Sequence, residues 1–578
     1  MNTSGIHLKK KPFSAPHVNK LIEIKKYDAA ESILRKELKK KPNNHEAQYL
    51  LGVTLWNKEN YKGALVFLKR AHGNASSTLD IQRSSLALSN VYDSQKQYKL
   101  AVQTAEKGLK GTYAVNKLTA KLVNLIIKTK DWDRLHKIIV ALKPLKSSSF
   151  EALKLICLAH QAMGEIEVAI QLALEEQGNF PESSILLTQF YNELGEFDKT
   201  ESLLQHSLKY KPGDSHLSSS LANLYGFQGK LKEAKDLLSE IKLSNNISHI
   251  KWHLGSLYLS EGDFKTAHPL MEARYNDPLS YSKVTLLKAI NFNVPLPESM
   301  ANLLVSKEEG IGDQIRNAKY LSMLPADIKQ KIFVNCEDRL IPLFEESFPE
   351  LKFISSKDMN LAYMVKNNVT HQTLLASTYF LLDQDMQPAQ SAYIKINHVN
   401  ELLTKTDKIK IGLCWRSVKA QLHRTLWYMP LEEVAALFKD IDCELISLQN
   451  DVSDEELNII KQHSGKDLIV TDVDAKDDFL RLSQLINEVD LVISTATATS
   501  ELSSALGKKT WVIGNKHPLR WYLSQMYMDH FYPDMKLYLS TQAFDWSVVA
   551  SEVRGDLGNY VGGECGQAQE SIRIECSK

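Results

Sequence analysis

At 578 residues the chain exceeds the roughly 250–300 residues at which one hydrophobic core stops growing, so at least two folding units are expected. Its 70 Lys and Arg offset 69 Asp and Glu to a net charge of +1, which excludes a global field for nucleic acid or an anionic membrane as the basis of function. No run approaches the roughly 20 uninterrupted apolar residues of a membrane span, and the basic opening Met1–Phe13 has no apolar stretch behind it, so the expected location is the cytoplasm. Cys157, Cys336, Cys414, Cys443, Cys565 and Cys576 are scattered without metal-type pairing, which points to reduced structural thiols and no metal centre.

The first half is periodic. Tyr27, Tyr61, Tyr98, Trp132, Ile166, Phe197, Leu231 and Phe264 follow one another at steps of 34, 37, 34, 34, 31, 34 and 33 residues, and each is read as opening the second helix of a repeat. A small residue follows three positions later at Ala30, Ala64, Ala101, Ala169, Thr200, Ala234 and Ala267, where two helices are able to approach closely. The same face continues four positions on at Leu34, Leu68, Ala105, Ile139, Ala173, Leu204, Leu238 and Met271. Leu51-Gly52 and Leu254-Gly255 carry the complementary pattern on first helices. This period resembles the tetratricopeptide family, which implies an α-solenoid offering a concave surface to a protein partner. Asn90, Asn192 and Asn223 on first helices are candidates for gripping an extended partner backbone; ordinary solvated groove residues are the equal alternative.

Beyond Tyr275 the period stops and a proline-bearing connector follows. Short branched runs then alternate with helical stretches: Leu303–Val305, Ile332–Val334, Ile409–Cys414, Glu444–Leu448, Leu468–Val470, Leu491–Ile493 and Trp511–Ile513. Such runs predict parallel strands covered on both faces, in two sheets, with ligands bound at the carboxyl ends of the strands. The first strand leads into Gly310-Ile311-Gly312-Asp313, where glycines permit close backbone approach and Asp313 is either a helix cap or a carboxylate placed to take a proton. Ile315 replaces the third glycine of a dinucleotide fingerprint, which disfavours a dehydrogenase. Arg416, Lys419, His423 and Arg424 form a cationic stretch with no acid before Glu432, suited to phosphate. The strand at Leu491 passes into Ser494-Thr495-Ala496-Thr497-Ala498-Thr499-Ser500-Glu501, a hydroxyl-rich helix start suited to a diphosphate, with Glu501 one turn in and within reach of a ribose. Gly507-Lys508-Lys509-Thr510 is not a P-loop, because it follows a helix, and Ser453–Glu456 reads as a capping box.

Together the EEGIGDQIRNAKYL, IGLCWRS and VDLVISTATATSELSSALGK stretches, with Leu519–Tyr522, resemble bacterial tetratricopeptide–glycosyltransferase fusions, whose catalytic half is similar to heptosyltransferases and more distantly to O-GlcNAc transferases. The resemblance implies an α + α/β multidomain protein: an N-terminal tetratricopeptide α-solenoid, then a GT-B pair of Rossmann-like α/β lobes. It maps the base onto Asp313, phosphate contacts onto Arg416 and Arg424, and the donor-binding turn onto Thr495 to Glu501. Glu501 stands where the family carries a histidine, so CMP-, UDP-, GDP- and ADP-sugars all stay open as the co-substrate; no further cofactor is implied. The expected plan is a flexible N-terminus at 1–16, about eight repeats over 17–275, a connector at 276–300, an acceptor-side lobe at 301–404, a nucleotide-sugar lobe at 405–554 and a flexible tail at 555–578. The expected function is metal-independent O-glycosylation of Ser or Thr on a protein held by the repeats, with flagellin among the acceptors the resemblance implies. A non-catalytic adaptor with a decayed transferase half and a transferase acting on a glycan or lipid-sugar are the rivals.

Overall fold

The computed structural model describes residues 13–23, 26–58, 60–180, 182–228, 230–241, 248–276, 287–289, 301–308, 310–382, 392–397, 401–417, 428–515, 531–532, 535–540 and 545–562. Compactness divides the chain into two units, Met1–Phe190 and Tyr191–Lys578, so the division falls inside the helix Ser183–Glu193, while sheets replace helical hairpins only after Asn276.

Helical hairpins of the tetratricopeptide type run from Ala15 to Met271. The second helices are Tyr27–Lys40, Tyr61–Gly73, Tyr98–Leu109, Trp132–Leu142, Ile166–Glu175, Phe197–Tyr210, Leu231–Ser239 and Phe264–Met271, each beginning at the residue that marks the period. The small residues three positions in are fully buried, as is Thr200. Helix starts are set by side-chain caps: the Asn60 carboxamide oxygen accepts from Gly63 N–H at 2.9 Å, and Asn44, Ser77, Asn116, Asp131, Ser149, Asp214 and Asp263 act in the same way. A Cβ built on Gly52 would lie 2.5 Å from Leu68 Cγ, and one on Gly255 would lie 2.7 Å from Met271 Cγ. Only glycine lets the paired helices close to that distance. Each buried Leu of these seams contributes about 1.5–3 kcal/mol to the packing of its hairpin. Among the described residues no helix is long and apolar enough to cross a membrane.

The second unit carries two sheets whose strands all pair in parallel. In the first, β1 (Lys288–Ala289), β2 (Asn302–Ser306), β3 (Ile332–Asn335), β4 (Lys352–Ile354) and β5 (Val369–Leu374) lie in the order β1-β5-β2-β3-β4. In the second, β6 (Ile409–Cys414), β7 (Cys443–Ser447), β8 (Leu468–Ile469), β9 (Leu491–Ser494), β10 (Thr510–Asn515) and β11 (Met535–Ser540) lie in the order β11-β10-β9-β6-β7-β8. Both sheets are covered by helices, as parallel strands require. All seven strands read from the sequence are present.

Two expected boundaries shift. The connector 276–300 contributes β1, which pairs with β5. The tail expected from Gly555 is helical as far as Val561, because Val549, Val553 and Leu557 recur every four residues and are buried, while Gly555 and Gly558 fall on the open side with nothing within 4 Å of a built Cβ. Cys157, Cys336, Cys414 and Cys443 are buried free thiols; burial pushes Cys157 and Cys336 up to about 12, and Cys443 up to about 11. Cys565 and Cys576 lie outside the described residues.

Candidate active site

The glycine loop leaves β2 and enters the helix Ile311–Met323 with Gly310 as its N-cap, in extended conformation. Asp313 turns back on this loop: its Oδ2 accepts from Gly310 N–H at 3.1 Å. The cap reading of Asp313 is therefore realised, and it leaves the carboxylate at the mouth of the loop with 34% of its side chain exposed. Gly312 has a separate reason to be glycine. A Cβ there would sit 3.3 Å from Glu501 Cγ and 3.5 Å from Ala498 Cα, so the first turns of two helices, one from each sheet, meet at this point.

The opposing helix is Ala498–Ala505, which follows β9 through Thr495, Ala496 and Thr497. The Thr495 amide donates to the Cys414 carbonyl at 2.8 Å, tying the turn to the end of β6. Ser500 Oγ accepts from Thr497 N–H at 3.2 Å, and Thr497 Oγ1 lies 3.4 Å from Ser494 Oγ and 3.6 Å from Cys414 Sγ. Thr499 is buried. Two helix N-termini directed at one place, each with the partial positive charge of its unpaired amides, make an environment that favours an anion.

Arg316 was not singled out by the sequence reading, yet it organises this point. Only 2% exposed, it bonds Glu501 through Nη2 and places Nη1 3.5 Å from Asp313 Oδ1. Glu501, expected to reach a ribose, is thus engaged by Arg316 and itself buried at 4% exposure. The one signal for Arg316 in the sequence is its place three positions after Asp313, which puts the two side chains on the same side of the helix.

Arg416 also differs from expectation. No acid lies near it in sequence, but Glu456 reaches it from the helix Asp454–Ser464: Arg416 Nε donates to Glu456 Oε1 at 2.7 Å and Nη2 donates to Glu456 Oε2 at 3.0 Å and to the Asp451 carbonyl at 2.8 Å. The guanidinium is neutralised within the fold rather than presented bare to a phosphate. Burial alone raises a carboxyl, but Arg416, the Ser453 amide and the Trp415 indole outweigh it and hold Glu456 down to about 2. The expected Ser453 capping box is present and supplies one of those bonds. Lys419, Arg424 and His423 lie outside the described residues, as does Leu519–Tyr522. Asn90 and Asn223 are half-buried on their first helices, and Asn192 is exposed.

Beside the turn, a small hollow with room for about one water lies at the carboxyl ends of β6, β9 and β10, walled by Leu413, Trp415, Met429, Val434, Ile493 and Ile513, with Cys414, Ser494 and Thr495 at its polar side. Gly507 ends the preceding helix in the left-handed conformation (φ +77°) and leads into β10, so the Gly-Lys-Lys-Thr run is a helix-to-strand turn.

No family model matches the chain. Protein FlbA of Caulobacter vibrioides is 22% identical over 280 residues, covering 45% of this chain, and the chain spans 46% of that relative's length. A solved tetratricopeptide repeat protein from Parabacteroides merdae is 13% identical over 45% of this chain and 90% of its own, with a TM-score of 0.28; a MamA protein is 19% identical over 29% and 90%, with a TM-score of 0.24. The fold described above, a tetratricopeptide-type helical array joined to parallel α/β sheets, rests on the chain's own helices and strands.

Proposed function

We propose that the chain is a GT-B glycosyltransferase that moves a sugar from a nucleotide-activated donor to a Ser or Thr hydroxyl of a protein captured by the helical repeats, with flagellin as a candidate acceptor. The observation that carries this reading is the meeting of two helix N-termini at Gly312 and Ala498, on the carboxyl side of two parallel sheets, with Asp313 at the mouth. In the proposed step Asp313 takes the proton of the acceptor hydroxyl, whose oxygen bonds the anomeric carbon. The bond from that carbon to the phosphate oxygen breaks, and the nucleotide leaves with the electron pair. Amides at the start of Ala498–Ala505 and the hydroxyl of Thr497 face the charge that grows on the leaving phosphate, where stabilisation accelerates turnover most.

The test is release of nucleotide from CMP-, UDP-, GDP- and ADP-sugars in the presence of a co-purified partner, for the wild type and Asp313→Ala. Loss of release with retained partner capture supports the enzyme.

The internal engagement of Arg416 by Glu456 and of Glu501 by Arg316 favours a second reading, in which the α/β half binds without catalysis. There the wild type and Asp313→Ala behave alike, and neither changes the mass of the captured protein.

A further inference from the structure

We propose that Arg274, at the end of the helical array, is a positioning residue for the Gly310–Asp313 loop, so that the terminal helical hairpin belongs mechanically to the α/β half. The proposal rests on the reading of that loop as part of a transfer site.

Arg274 follows the hairpin Ser248–Ser260 and Phe264–Met271 and is buried. Its five N–H donors are all used. Nε donates to Glu308 Oε2 at 2.9 Å, and Nη2 donates to Glu308 Oε1 at 3.3 Å and to Ser377 Oγ at 2.7 Å. Nη1 donates to the Met271 carbonyl at 3.0 Å and to Glu272 Oε1 at 2.6 Å. Glu308 lies between the end of β2 and Gly310, and its Oε1 also accepts from the Ala376 amide at 2.5 Å. One planar fork therefore joins the last turn of the array, the chain leaving β2 and the chain leaving β5. A lysine has no such geometry.

A second tie reaches the helix that the loop begins. His268 stacks on Tyr379 at 3.8 Å between centroids, and its Nε2 lies 2.9 Å from the hydroxyl of Tyr320 on Ile311–Met323. Leu259, Phe264 and Ala267 share one apolar core with Leu303, Val305 and Ile315. The division of the chain into compact units agrees, since it leaves this hairpin with the sheets. The Glu308 carboxylate is buried, so removing its fork leaves an unpaired charge two residues from Gly310, and the loop is released first.

The experiment is hydrogen exchange and donor turnover on full-length Arg274→Met and Arg274→Lys, with CMP-, UDP-, GDP- and ADP-sugars as the probes. Amides of Gly310–Asp313 are expected to exchange about tenfold faster in both variants while those of β9 are unchanged, and turnover falls about tenfold with donor KM within about twofold. Exchange that is unaltered at the loop, that rises equally in β9, or that Arg274→Lys restores overturns the proposal. Should Arg274→Met fail to fold, Ser377→Ala keeps both ion pairs and is expected to loosen the same amides by about threefold; no change there also overturns it. A wild type that turns over none of the four donors sinks the transferase reading alone, because the exchange pattern decides the positioning role without it.

Discussion

Replacing Arg316 by methionine removes the cation bonded to Glu501, in a place where the two side chains are 2% and 5% exposed. Breaking a buried pair by deleting one partner costs about 3–5 kcal/mol, because the remaining carboxylate keeps its charge without its water. Glu501→Leu leaves Arg316 with Asp313 at 3.5 Å and is expected to cost less, about 2–3 kcal/mol. The double replacement leaves no stranded charge between the two helices and is expected to lie within about 1 kcal/mol of the wild type. The coupling in this cycle is therefore about 4 kcal/mol or more, above the roughly 0.5–3 kcal/mol usual for neighbouring residues. Native-state hydrogen exchange on Ile311–Met323 and Ala498–Ala505 measures the local opening free energy, which suits a chain of several folding units better than one global melt. If Arg316→Met costs under about 1 kcal/mol, or if the double variant shows the sum of the singles, the two helices are not joined by this pair and the reasoning fails.

Three further outcomes are expected. Burial foremost, with Arg274 nearby, pushes His268 down to about 3 from 6.5, so the folded protein keeps it neutral while the unfolded chain takes up a proton below about pH 6.5. Its contribution is complete above that pH and is lost as pH falls toward 3; by pH 5 the stability advantage of the wild type over His268→Gln should shrink by about 2 kcal/mol in urea titrations, and parallel pH profiles would contradict it. Glu456, held at about 2 against 4.5, stabilises above pH 4.5 and loses this on acidification toward 2, so the gap between the wild type and Glu456→Gln should close over that window in the same assay. Gly52→Val places a Cβ 2.5 Å from Leu68 Cγ and should cost about 1–3 kcal/mol by circular dichroism; an unchanged midpoint would refute the close approach.

The helical array was legible because its signal is local. One large residue at the start of each second helix and, in seven of the eight, a small residue three positions later mark the seam, and all eight marked helices begin where the spacing puts them. The sheets were legible only where strands are apolar. β5 sits beside β2 in the middle of its sheet yet reads Val-Thr-His-Gln-Thr-Leu, because its polar side chains find partners inside the fold, as Gln372 does on Ser306 at 2.8 Å. β1 and β4 are too short to show a pattern. At the site, Gly312 and Asp313 were legible from the turn they must form. The partners of Arg416 and Glu501 were not, since Glu456 and Arg316 stand 40 and 185 residues away and no spacing rule connects them.

The most direct measurement is the intact mass of the protein captured by the repeats, purified from cells with the wild-type chain, with Asp313→Ala and without the chain. The account predicts captured protein heavier by whole glycosyl residues only with the wild type, while Asp313→Ala still holds the unmodified form. A captured protein of one mass in all three strains would contradict it.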